Sequence, residues 1–340
     1  ATGPSMPVSE PTAVPATYEW RDDVHVLPGG LDLHFGGRVE RVELAYRLAG
    51  ARGAPVVAVL GGISAGRNVF SLDAAAPGWW EDAIGPGRAL DTDRFRVLGI
   101  DFLGGSHRTT GPGEGEVFPS VSAFDQAALL IALMDHLGLE RLQASLGASY
   151  GGMVTLALAQ AHPERLRHAV VLSAAHRTHP MSTAWRSVQR AIVRYALSHG
   201  EGPRGLVLAR ALAMATYRSA REFEERFPGP AEATPEGFRF PVETYLMARG
   251  ESYAAVYKPE AFVCLSESID LHRVEPGAIR VPTTLLGVQE DQLVPLADMR
   301  ELRDRHGGNC SLVEISSIFG HDAFLKETEV LRDLLARALD

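Results

Sequence analysis

Cysteine is almost missing from this chain. Only Cys264 and Cys310 occur, without metal-ligand spacing, which argues against a disulfide scaffold and a structural zinc site; no metal is expected. Long apolar runs are missing too, and nothing approaches the ~18 consecutive apolar residues that a membrane span needs. Basic charge is scarce: 33 Lys and Arg face 42 Asp and Glu, giving a formal net charge of −9. No basic stripe offsets that balance, so no nucleic-acid or membrane partner is expected. No basic segment followed by an apolar core opens the sequence, so a secretory leader is not expected and a cytoplasmic location is. Residues 1–19, rich in Pro, Ala, Ser and Thr, lack a periodic apolar face and read as a flexible tail. What is left has the make-up of a globular enzyme or binding protein, 46% hydrophobic and 22% charged over 340 residues.

Leu31–Phe35 and Val39–Tyr46 have the pattern of antiparallel strands around a Gly36-Gly37 turn. From Ala54 the pattern changes. Short apolar runs at Val56–Leu60, Phe95–Ile100, Leu142–Leu146 and Ala169–Leu172 alternate with helical spacing at Val121–Leu137 and Tyr150–Ala161. Such alternation predicts βαβ units and a mostly parallel sheet flanked by helices. Strands then stop. Between about 176 and 271 only helical patterns are found, at Met181–Ser198, Leu206–Tyr217, Ala220–Arg226 and Pro241–Ala248. Strand patterns return at Pro282–Val288 and Ser311–Ile315, followed by a helix over Ala323–Leu339. The expected organisation is an α/β core of residues 20–175 and 272–340, with residues 176–271 inserted as a helical lid.

Gly147-Ala148-Ser149-Tyr150-Gly151 follows a strand and opens a helix, the context that a G-x-S-x-G nucleophile elbow requires. A tight strand-to-helix turn lifts the Ser149 hydroxyl clear of the sheet, and the helix N-terminus offers N–H groups to a developing oxyanion. An alkyl hydroxyl is a weak nucleophile at neutral pH, so a carboxylate and an imidazole should follow in chain order. Asp291, just past strand Pro282–Val288, is a better acid than its neighbour Glu290, because Leu293-Val294-Pro295 supplies the expected turn. His321, in the loop between strand Ser311–Ile315 and the last helix, is the expected base. The Gly61-Gly62-Ile63-Ser64-Ala65-Gly66 loop supplies a second oxyanion donor, so the backbone N–H groups of Ile63 and Tyr150 are the candidate hole. By themselves these residues leave a transferase, an esterase or thioesterase, and a non-catalytic relative open.

The surrounding blocks resemble one family. Gly78-Trp79-Trp80, the Gly85–Asp93 segment, Leu103-Gly104-Gly105-Ser106, Thr110-Gly111-Pro112, Phe118-Pro119, G-A-S-Y-G-G-M around Ser149 and G-H-D-A-F-L at Gly320–Leu325 are similar to homoserine O-acyltransferases, across roughly residues 30–339. The resemblance implies an α/β-hydrolase fold with an inserted helical lid. It implies ping-pong transfer of a succinyl or acetyl group from acyl-CoA to the side-chain hydroxyl of L-homoserine, an entry step of methionine synthesis. Acyl-CoA is then a substrate and no bound cofactor is needed. Residue by residue, it implies that Arg210 and Tyr217 meet the acceptor amino acid, with Asp322 facing its ammonium, and that a homodimer forms through the lid. A serine O-acyltransferase of the same family stays open beside the homoserine reading.

Three positions depart from the family pattern. Gly61-Gly62-Ile63-Ser64-Ala65 stands where acetyl-transferring members carry His-Ala-Leu-Thr-Gly, Asp101 replaces an Asn, and Tyr150 replaces a common Met. Arg67, just past the glycine loop, is a candidate cation for the terminal carboxylate of a succinyl donor.

Overall fold

The computed structural model describes residues 14–340. Eight strands make one sheet: β1 (Tyr18–Val26), β2 (Glu43–Ala51), β3 (Val56–Leu60), β4 (Arg96–Ile100), β5 (Ala144–Ala148), β6 (Ala169–Leu172), β7 (Thr283–Val288) and β8 (Cys310–Ile315). Their spatial order is β1-β2-β4-β3-β5-β6-β7-β8. β2 runs antiparallel to both its neighbours, and all the other pairings are parallel. The central strands β3, β5 and β6 are buried along their whole length; β3 and β6 read as unbroken apolar runs and not as alternating ones, and β5 as small residues around Leu146.

Two apolar cores lie on the two faces of this sheet. One packs α1 (Ala123–Leu137), α2 (Tyr150–Ala161) and α8 (Leu296–Arg305). The other packs α10 (Thr328–Leu339) together with Phe70, Trp80 and Ile84 from the turn-rich crossover between β3 and β4. α1 starts on a capping box, Ser122 with Asp125, and stops at Gly138 in the left-handed conformation.

The long insertion between β6 and β7 holds α3 (Pro180–Ser198), α4 (Gly202–Tyr217), α5 (Ala220–Arg226), α6 (Pro241–Ala254) and α7 (Pro259–Leu271). Its entry and exit pass side by side, joined by an antiparallel bridge between Arg177 and Arg273 and by Val274 N–H donating to His176 O at 2.9 Å. Close crossings set its helices. A Cβ on Gly205 would fall 2.4 Å from Ala196 Cβ, and one on Gly250 would fall 2.3 Å from Val207 O. Asp270 on α7 collects Thr183, Arg186 and Arg190 from α3, a buried cluster whose charges are paired as burial requires. No helix among the described residues is long and apolar enough to cross a membrane.

Several expectations need correcting. Residues 1–13 of the expected tail lie outside the described residues, but Tyr18 is buried, starts β1 and bonds Thr92 and Asp93. β1 escapes a pattern reading because an edge strand tolerates charges such as Arg21, Asp22 and Asp23. The expected Leu31–Phe35 strand shrinks to a two-residue pairing with Arg38–Val39, and the long strand begins only at Glu43. The insertion is not purely helical: Glu232–Thr234 and Gly237–Arg239 form an exposed hairpin. The last helix is broken at Glu327 into α9 (Ala323–Lys326) and α10.

Candidate active site

Ser149 alone makes the turn between β5 and α2. Its φ of 55° with ψ of −119° is a conformation that non-glycine residues rarely hold, at a cost of about 1–3 kcal/mol. The glycines around it are required by contact. A Cβ on Gly147 would sit 2.1 Å from Gly151 O, and one on Gly151 would sit 2.1 Å from Leu60 O. Gly151 N–H donates to Gly61 O at 2.8 Å, which ties the elbow to the loop after β3.

The three residues expected to act together are in contact. His321 Nε2 lies 2.8 Å from Ser149 Oγ, and His321 Nδ1 lies 2.8 Å from Asp291 Oδ2. Asp291 is buried, and its other oxygen accepts from Leu293 N–H at 2.8 Å and Val294 N–H at 3.0 Å. A carboxylate so held accepts the Nδ1 proton, which leaves Nε2 as the acceptor toward the serine hydroxyl. Burial alone would push the imidazole pKa down, but the Asp291 charge and hydrogen bond, with Asp322 adding to them, outweigh it and leave it above the ordinary value. Glu290 does a different job: its carboxylate takes Ser316 Oγ and, at 2.7 Å, Ser317 N–H, closing the acid loop on the loop that leads to the histidine.

Among the described residues, neither Ile63 N–H nor Tyr150 N–H meets a backbone acceptor. Both are free donors on loops that the Gly151–Gly61 bond holds together. The Tyr150 side chain is a separate matter. It is buried edge-on against Phe102, with its hydroxyl 2.8 Å from Ser268 Oγ and accepting from Gln126, so its departure from the family pattern falls in the core behind the elbow.

Arg210 and Tyr217 come together at the roof. Arg210 Nη1 donates to Tyr217 Oη at 3.3 Å, and the guanidinium also lies over the rings of Tyr217 and Tyr253, at 5.1 and 4.3 Å from their centroids. Among the described residues it has no carboxylate within ion-pair distance. The Tyr217 ring stacks near His321, with centroids 6.2 Å apart. Asp322 is less free than expected, since its Oδ2 accepts from Arg218 Nε at 2.9 Å. Arg218 also pairs with Glu222, and its carbonyl accepts from Gln292 of the acid loop at 2.8 Å. The end of α4 is thus fastened to both loops that carry Asp291 and His321.

Arg67 does not stand as a free cation. Its Nε lies 3.0 Å from Asp22 on β1, and its Nη1 pairs with the buried Asp101. Asp101 also accepts from the backbone N–H groups of Arg67 and Arg108. The Asn-to-Asp departure and Arg67 are therefore partners in one structural ion pair, and the guanidinium is already neutralised.

Sequence reading missed Arg218, Tyr253 and Tyr257. Tyr253 lies at the end of α6 and Tyr257 in the turn after it, so no helical periodicity linked them, and nothing local marked Arg218. The space beside His321 is small, about 20 Å³, and its walls include Met153, Arg177, Arg186 and Asp298. A cleft of about 730 Å³ between α1, α2 and α8 contains no triad residue.

Fold and site together define an α/β-hydrolase enzyme, and a family model described as the alpha/beta hydrolase fold matches residues 55–328. The chain is 44% identical over 308 residues to a homoserine O-succinyltransferase of Xanthomonas campestris pv. campestris, covering 90% of this chain and 80% of that one. It is 34% identical to a homoserine O-acetyltransferase of Clavibacter michiganensis subsp. michiganensis, covering 96% of each. The chain belongs to the homoserine O-acyltransferase family. Among solved structures, esterase E22 shares the fold at a TM-score of 0.85 and 19% identity, covering 95% of this chain and 100% of that one.

Proposed function

We propose that this enzyme moves an acyl group, succinyl or acetyl, from acyl-CoA to the side-chain hydroxyl of L-homoserine, serving methionine synthesis. The observation that carries the reading is Arg210: a guanidinium without a carboxylate partner among the described residues, fixed by Tyr217 beside His321. Its fork suits the α-carboxylate of an amino acid, and Oδ1 of Asp322, the oxygen that Arg218 does not hold, suits the ammonium. A plain esterase has no need of that pair.

The cycle has two halves. His321, oriented by Asp291, takes the Ser149 proton as Oγ attacks the thioester. The N–H groups of Ile63 and Tyr150 receive the oxyanion. The C–S bond breaks, the CoA thiolate takes the proton from His321, and an acyl-serine remains. The acceptor then binds against Arg210, Tyr217 and Asp322. His321 removes its hydroxyl proton, the new ester bond forms, the bond to Ser149 Oγ breaks, and the proton returns to Ser149. Holding the acceptor hydroxyl at the acyl-serine favours transfer over hydrolysis.

The 44% identity to a chain named as a succinyltransferase favours succinyl-CoA as donor. L-serine, one methylene shorter, is the competing acceptor. Exposed Val188, Tyr195 and Leu208 line an apolar groove of about 510 Å³ between α3 and α4, which supports pairing of two lids in a homodimer; light scattering reads it. The deciding experiment follows thiol release from succinyl-CoA and acetyl-CoA, each with and without L-homoserine or L-serine. Release that requires homoserine is expected. Equal release without any amino acid would make the protein a thioesterase.

A further inference from the structure

The glycine loop after β3 must hold an N–H group in place for an oxyanion, yet its own sequence gives it little to hold on to. A Cβ at Gly62 would touch nothing, and within the loop Ala65 N–H to Gly62 O is its turn bond. The core holds the two ends of the loop, through Gly151 N–H on Gly61 O and Trp79 Nε1 on Gly66 O, and most of the hold on its middle comes from the lid. Tyr253, buried in α6, places its hydroxyl 2.6 Å from Ser64 Oγ. Tyr257 donates its hydroxyl to the Ser64 carbonyl at 3.0 Å and stacks on Tyr253 with centroids 4.2 Å apart. His107 Nε2 reaches the same carbonyl at 2.9 Å. Ser64 follows Ile63 directly, so three side chains hold the residue next to the candidate oxyanion donor, one through its hydroxyl and two through its carbonyl.

The same tyrosine has a second contact. Its ring lies under the Arg210 guanidinium at 4.3 Å, a cation–π geometry that positions the charge without neutralising it. Burial, partly offset by Arg210, pushes the Tyr253 hydroxyl pKa up to about 12, so it stays a neutral hydrogen-bonding group across the working pH range.

We infer that Tyr253 is a positioning residue shared by both halves of the reaction: its hydroxyl holds the oxyanion loop through Ser64, and its ring holds the guanidinium that receives the acceptor carboxylate. The ring half rests on the acyl-transfer reading above; the hydroxyl half rests only on the Ser149 elbow and its loop.

Tyr253→Phe removes one oxygen and keeps the ring. Single-turnover acylation of Ser149 by p-nitrophenyl acetate, which needs neither CoA nor an amino acid, should slow roughly tenfold in this variant. Its KM for L-homoserine in the full reaction should stay within about twofold. Ser64→Ala should slow acylation equally, and the double variant should be no slower than either single one. Tyr253→Met, which keeps bulk without the ring, should slow acylation alike and also raise the homoserine KM about tenfold. Additive losses in the double variant, or wild-type acylation by Tyr253→Phe, would overturn the hydroxyl half. An unchanged homoserine KM in Tyr253→Met would overturn the ring half. Should the wild-type enzyme acylate Ser149 yet pass the group to no amino acid, the acyl-transfer reading and the ring half fall together, while the hydroxyl half is decided by acylation alone.

Discussion

Arg67, just past the glycine loop after β3, and Arg210, on α4, live under opposite conditions. Arg67 reaches two carboxylates, Asp22 and the buried Asp101, and binds its own β-sheet edge together. Arg210 reaches none among the described residues; it is cradled by the hydroxyl and ring of Tyr217 and the ring of Tyr253. Both looked like candidate ligands for a substrate carboxylate. What separates them is the partners already present. A guanidinium whose charge is met by protein carboxylates has little left for a ligand, while one held by aromatic faces and a phenol keeps its charge available. The positions differ as well: Arg67 lies in the crossover between β3 and β4, within reach of Asp22 on β1 and Asp101 just past β4, and Arg210 lies on α4 of the long insertion.

The largest effect should come from the residue that both halves of the reaction share. Ser149→Ala should abolish thiol release, a loss on the order of 10⁶ in kcat, whichever donor or acceptor is supplied. Asp291→Asn comes next, with kcat reduced on the order of 10⁴. It also has a pH signature. His321 must be neutral to act as base, and its pKa is raised above the ordinary 6.5, so the acid limb of kcat/KM should lie above that value in the wild type. Loss of the Asp291 charge should move the limb to lower pH. The same raised pKa contributes to stability below the unfolded value, and that contribution is lost as pH rises through the folded one.

The comparison itself is tested by the two arginines. Arg210→Met should lower kcat/KM for homoserine on the order of 10²-fold while Ser149 acylates as in the wild type. Arg67→Met should leave both kinetic constants and the donor preference within about twofold of the wild type. It should instead lower the melting temperature, because the buried Asp101 loses its partner, at a cost of about 3 kcal/mol. A tenfold rise in the succinyl-CoA KM of Arg67→Met, with acetyl-CoA unaffected, would erase the distinction drawn here.

Much of this molecule was legible before any coordinates. β3 and β6 are buried on both faces and therefore announce themselves as unbroken apolar runs, whereas β5, with Ser145 and Gly147, runs two residues past its expected end. The elbow is a local device: its glycines are needed within a few residues of Ser149, so the motif is compact. Chain order, with the place of each just past a strand and the turn after the acid, pointed to Asp291 and His321. Less legible were elements whose residues answer to distant partners. β1 is an edge strand carrying charges, and its Asp22 makes sense only beside Arg47 and Arg67. Arg218 looks like an ordinary helix-end charge until Asp322, Glu222 and Gln292 are seen around it.

The sequence by itself determined the class of fold, the elbow and the order of its partners, because those depend on local sterics and on hydrophobic periodicity. Only the tertiary structure decided which charges are spent and which are free. That depends on through-space distances between residues such as Arg67 and Asp101, or Tyr253 and Ser64, 189 positions apart, and no local pattern encodes them.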